Sequence, residues 1–187
     1  MSISSSLVKE LREKTGAGIM ECKRALEQSN GSIDKAADFL KQQGLAKADK
    51  KAGRVAAQGL IEPYIHGAGR IGAIVDVNCE TDFVARTADF KALAHDLAMQ
   101  VAASKPRYMT VDDVPADEWA ALEKEFGDRK KAIEAVVFMD QPFIKDGRQT
   151  IDDLVRNAVA KLGENIVVRR FARFEVGEAA TSEAGAE

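Results

Sequence analysis

The sequence predicts an α+β protein: a small three-helix amino-terminal module followed by a core in which helices lie on one face of an antiparallel sheet. Three observations carry this. Apolar residues recur at helical spacing from Leu7 to Leu40, from Phe90 to Val101 and from Ile151 to Leu162. The period changes to two from Leu60 to Val77 and again from Ile166 to Val176. Helical and extended stretches do not alternate regularly, which argues against a doubly wound parallel sheet.

In the module, residues 1–45, Leu7, Val8 and Leu11 mark the face of a first helix, which Thr15-Gly16-Ala17-Gly18 breaks. Ile19, Cys22, Ala25 and Leu26 mark a second, and Asn30-Gly31 turns the chain. Ile33, Ala36, Ala37 and Leu40 mark a third, which Gly44 is expected to stop. Met20 falls off the stripe of its own helix, with Arg12 and Lys23 as charged neighbours; it is either a surface contact or a peripheral core methionine. Residues 46–59 carry Lys47, Lys50, Lys51 and Arg54 without an aromatic. They read as a linker or exposed helix with solvated charges, the alternative being an RNA-binding or general protein-interaction segment.

The core, residues 60–176, opens on a hairpin in which Leu60 to His66 and Arg70 to Val77 flank a glycine-containing turn. Gly67-x-Gly69 joins two strands and not a strand to a helix, so it is not a phosphate loop. Phe90, Leu93, Ala94, Leu97, Ala98 and Val101 form the next helical stripe. Lys105-Pro106 and Val114-Pro115 mark a bend; Trp119, Leu122 and Phe126 suggest a helix interrupted at Gly127-Asp128, with Ile133, Val136 and Val137 beyond it. Thr150-x-x-Asp153 has the form of a capping box at the head of the helix that Gly163 ends. In the final strand Ile166, Val168, Ala172, Phe174 and Val176 are expected on one face, with Arg170 marking a sheet edge or an ion pair. Residues 177–187 are small and acidic and are expected to be disordered.

The 187 residues suffice for an ordinary hydrophobic core, and the net charge of −3 gives no sign of a nucleic-acid partner. Apolar runs fall short of the roughly 18 residues of a membrane span. Met1 to Ser6 lacks the basic start and apolar centre of a signal peptide, so the chain is expected in the cytoplasm. Cys22 and Cys79 have no metal-ligand spacing and read as reduced core thiols rather than redox groups. His66 and His95 sit in no recognisable nucleophile motif, and neither an enzymatic activity, a metal nor a cofactor is expected.

The stretch from Asn78 to Arg86 lies between the hairpin and the next helix. Polar residues there bracket one large aromatic, Phe83, which either folds back into its own core or is held outward as a wedge beside Asp82. Three segments, Leu7 to Leu26, Val77-Asn-Cys-Glu-Thr-Asp-Phe-Val84 and Lys161 to Arg170, together resemble the elongation factor Ts family over nearly the whole chain. The resemblance implies a guanine-nucleotide exchange factor for elongation factor Tu. It implies that Thr81, Asp82, Phe83 and Val84 enter the partner near its magnesium ion, and that Arg12, Ile19, Met20 and Lys23 supply amino-terminal contacts. Position 19, often methionine in the family, is isoleucine here. The chain holds the core motif once, so two copies are expected to pair, giving a 2:2 complex with no direct nucleic-acid or membrane partner.

Overall fold

The computed structural model describes residues 3–178, and the expected disorder of the tail lies, for residues 179–187, outside the described residues. The fold is α+β: antiparallel sheets with helices, preceded by an amino-terminal helical module. Two compact units are present, one of Met1–Gly59, Asn78–Leu93 and Asp152–Val167, the other of Leu60–Val77, Ala94–Ile151 and Val168–Glu187.

In the first unit, α1 (Ser5–Thr15) starts where the Ser4 hydroxyl accepts from the Leu7 amide, at 3.3 Å. It ends at Gly16, whose φ of 69° is the left-handed conformation that favours glycine at this place. Helix α2 (Ile19–Gln28) and helix α3 (Ile33–Asp49) complete the module around Leu11, Cys22, Ala25, Leu26, Ala36 and Leu40, all buried. Two expectations are corrected here. Gly44 does not stop α3, which runs on to Asp49; a Cβ at position 44 would lie 3.1 Å from that of Ala160, so glycine serves close approach to a neighbouring helix. Ile19 does not join the module core but is 58% exposed. As the first residue of α2 its side chain leans toward the helix start, beyond the buried stripe.

In the sheet, β1 (Gln58–His66), β2 (Ile71–Cys79) and β5 (Ile166–Glu175) lie in the order β1-β2-β5. The hairpin turn is tight because Gly67, Ala68 and Gly69 all take positive φ. On β2, Ala73, Val75, Val77 and Cys79 are buried while Ile74 is exposed, so one face is covered and the other open. Helix α5 (Ala88–Ser104) buries Phe90, Leu93, Ala94, Leu97, Ala98 and Val101, as its spacing predicts. It meets the strands through His95 and Tyr64, whose rings lie edge to face 5.4 Å apart, and through Arg173, whose Nε donates to the Ala102 carbonyl at 3.1 Å.

The last strand departs from the expected phase. Ile166 and Val168 are buried, but Ala172, Phe174 and Val176 are exposed, and Phe171 and Arg173 take the covered side. The phase changes across Arg169 and Arg170. Beyond them Phe171 packs on Phe138 with ring centres 5.4 Å apart, and Arg173 donates through Nε to the Ala102 carbonyl at 3.1 Å and through Nη2 to Glu175 at 2.8 Å. Arg170 sits on an edge strand and also pairs with Asp76 at 3.1 Å.

The stretch after the Lys105-Pro106 bend holds α6 (Trp119–Phe126) and α7 (Arg129–Val136), split at Gly127, with Asp128 capping the second helix through the Lys131 amide at 2.8 Å. Val114, Trp119, Leu122, Ala132, Val136 and Val137 form their common core. A small hairpin, β3 (Pro142–Phe143) and β4 (Asp146–Thr150), follows and has no counterpart in the sequence reading. It is fastened by buried Gln100, whose Oε1 accepts from the Ile144 amide at 2.9 Å and whose Nε2 donates to the Pro142 carbonyl at 3.2 Å. Helix α8 (Ile151–Leu162) then buries Ile151, Val155 and Val159. No helix among the described residues is long and apolar enough to cross a membrane.

Candidate functional site

Of the two fates open to Phe83, the structure takes the outward one: the residue is 79% exposed. It is the second residue of α4 (Asp82–Ala85), a single helical turn between β2 and α5. Thr81 caps this turn, with its hydroxyl accepting from the Val84 amide at 3.4 Å, so Phe83 is carried on a backbone whose start is fixed. Asp82 pairs with Arg86 at 2.8 Å, both partly exposed, and Val84 is half-buried while Ala85 is buried. The four residues therefore form one contiguous surface. Its inner side is anchored by Ala85, and its outer side is an aromatic ring beside a carboxylate.

The floor of the corner is Cys79. Its buried thiol donates to the Thr81 carbonyl at 3.1 Å, and burial pushes its pKa up, which keeps it a protonated structural group. Sequence reasoning missed three further residues that hold this corner. The Glu164 carboxylate accepts from the Glu80 and Thr81 amides and from the Thr81 hydroxyl, at 3.1, 2.9 and 2.6 Å. In return Glu80 Oε1 accepts from the Asn165 amide at 2.7 Å. Asn165, buried, donates through Nδ2 to the carbonyls of Arg54 at 2.8 Å and Ala52 at 3.3 Å. The available signal was two adjacent polar residues, Glu164 and Asn165, between a helix-ending Gly163 with φ of 81° and the apolar start of β5.

The amino-terminal candidates are on the surface. Met20 is 64% exposed, Ile19 is exposed beside it at the start of α2, and Arg12 and Lys23 are exposed on α1 and α2. The Met20 carbonyl accepts from Arg24 Nε at 3.3 Å, and the Gly18 amide donates to Glu21 Oε2 at 3.2 Å, so the start of α2 is held by bonds to near neighbours. Within the basic segment Arg54 is engaged by its own chain. The head of Arg54 lies 3.6 Å from Glu80, and its backbone carbonyl belongs to the Asn165 network.

The corner and the start of α2 both turn apolar side chains outward on bonded backbone. A family profile described as Elongation factor TS matches residues 42–132 of this chain. The chain is also similar to the elongation factor Ts of Moorella thermoacetica, with 50% identity over 94% of this chain and 96% of the relative. It is 49% identical to that of Coprothermobacter proteolyticus over 95% of this chain and 100% of the relative. With that of Syntrophomonas wolfei the identity is 52%, over 94% and 91%. The chain belongs to the elongation factor Ts family, whose members are factors of translation elongation.

Proposed function

We propose that this chain is the cytoplasmic guanine-nucleotide exchange factor of elongation factor Tu, and that it acts by contact, without making or breaking a covalent bond itself. The observation that carries this reading is the exposed ring of Phe83 on a corner held by its own subunit. The Thr81–Val84 corner enters the partner's nucleotide-binding domain and shifts the elements that hold the magnesium ion and phosphates. Arg12, Ile19, Met20 and Lys23 anchor the complex.

The magnitudes set the division of labour. A factor that weakens nucleotide binding is itself weakened by nucleotide to the same degree, and each tenfold change requires about 1.4 kcal/mol. Burying one Phe side chain in the partner supplies roughly 1.5 to 3 kcal/mol, one or two decades. Larger acceleration requires loss of the magnesium ion, the largest local charge at a bound nucleotide, and Asp82 brings a carboxylate beside the wedge. Release of fluorescent GDP from elongation factor Tu, followed with and without the chain, tests the reading. An unchanged release rate rejects it.

Two copies pair through the open face of the sheet, which supports a 2:2 complex. Ile61, Ile65, Ile74, Phe174 and Val176 are all exposed large apolar residues of β1, β2 and the β5 end. A patch of this kind on one face of a sheet is suited to self-complementary contact. Sedimentation at micromolar concentration should give a dimer for the native chain and a monomer for Ile74→Asp.

A further inference from the structure

A single turn such as Asp82–Ala85 has almost no stability of its own, because helix nucleation fixes several residues for one hydrogen bond. Its conformation is therefore imposed from elsewhere, and the bonds that impose it converge on Glu164, 83 positions beyond Thr81. One oxygen of that carboxylate receives the amides of Glu80 and Thr81, at 3.1 and 2.9 Å; the other receives the Thr81 hydroxyl at 2.6 Å. With its O–H directed to Glu164 as a hydrogen-bond donor, Thr81 Oγ1 turns a lone pair to the Val84 amide at 3.4 Å. The backbone is thus fixed immediately before Phe83 by direct bonds and immediately after it by a relay through one hydroxyl. The three groups facing Glu164 are all donors, a set that an ionised carboxylate satisfies and an amide side chain satisfies only in part. Glu164 is itself held in place, since the amide of its neighbour Asn165 donates to Glu80 at 2.7 Å.

We propose that Glu164 is a positioning residue for nucleotide exchange: it presents the Phe83 corner in its inserting conformation before the partner arrives. This rests on the exchange role assigned to the corner above. Ordering the corner in advance removes that cost from the step in which the ring enters the partner. Glu164 therefore affects the rate of release within the complex more than the strength of the complex.

The test measures fluorescent GDP release from elongation factor Tu over a series of chain concentrations, which separates the maximal rate from the half-saturating concentration. Glu164→Ala should lower the maximal rate about tenfold, with the half-saturating concentration within about twofold of wild type. Glu164→Gln keeps one acceptor oxygen for the two amides and should recover most of the rate. In a Phe83→Ala background, Glu164→Ala should have no further effect, because both act through one ring. Amide hydrogen exchange at Thr81 and Val84 should be faster in Glu164→Ala than in wild type.

A wild-type chain that does not accelerate release overturns the exchange reading and this proposal with it. Where wild type is active, a full maximal rate in Glu164→Ala, losses that multiply in the double variant, or unchanged amide exchange overturns the positioning role alone. Should Glu164→Ala fail to fold by circular dichroism, Thr81→Val removes only the hydroxyl relay and should lower the maximal rate about threefold. A full rate in that variant overturns the proposal equally.

Discussion

The start of α2 and the Asp82–Ala85 turn both turn apolar side chains outward in the first unit, and they are fixed in different ways. Ile19 and Met20 open α2, and the bonds there, Glu21 to the Gly18 amide and Arg24 to the Met20 carbonyl, span three and four positions. Phe83 sits on a turn that has local bonds as well, among them the Val84 amide to the Thr81 hydroxyl, but is tied in addition to Glu164, 83 positions away. A surface held by local bonds exists wherever its helix exists and suits an anchor. A surface held by distant charge-assisted bonds has a set direction, which suits a wedge that must enter a partner at one angle.

The largest expected effect tests the wedge side of this contrast. Phe83→Ala should lower the maximal rate of GDP release by about ten- to a hundredfold, from the roughly 1.5 to 3 kcal/mol of one buried Phe. Because the ring is exposed in the free chain, its melting temperature should not move. A fall in melting temperature of several degrees would mean that the ring stabilises its own subunit. Next comes the support of the corner. Asn165→Ala leaves the carbonyls of Ala52 and Arg54 without their donor and should cost about 1 to 3 kcal/mol in urea unfolding.

The anchor side predicts a different signature. Met20→Ala should raise the half-saturating concentration about fivefold and leave the maximal rate as it is. A lowered maximal rate would erase the distinction between the two surfaces. The smallest effect concerns α3, whose Gly44 lies against Ala160. Gly44→Ala gains helix propensity but brings two Cβ atoms to 3.1 Å, and the net loss should stay below about 1 kcal/mol in thermal unfolding. A gain in stability would show that this helix pair can open at little cost.

Much of the fold was legible because it follows from period. The stripes from Leu7 to Leu40, Phe90 to Val101 and Ile151 to Leu162 became α1, α2, α3, α5 and α8, and the alternating runs became β1, β2 and β5. The hairpin of Pro142–Phe143 and Asp146–Thr150 was not legible: strands of two and five residues are too short for a period, and buried Gln100 supplies what fastens them. Gly44 misled because a glycine in a sequence reads as a helix end, while its reason here is a neighbour that arrives from residue 160. The phase of β5 misled because alternation alone does not reveal that Arg173 lies on the covered side.

The same division runs through the site. The sequence by itself determined that Asn78 to Arg86 lies between the hairpin and the next helix, since the spacings on either side are properties of neighbours. It carried the resemblance to the family as well, in its three matching segments. Only the tertiary structure decided that Phe83 points outward and that Ile19 joins Met20 on the surface. That outcome depends on which distant groups meet: Glu164 reaches across 83 positions to satisfy three donors, and an ordered exposed ring is what remains once those bonds are made.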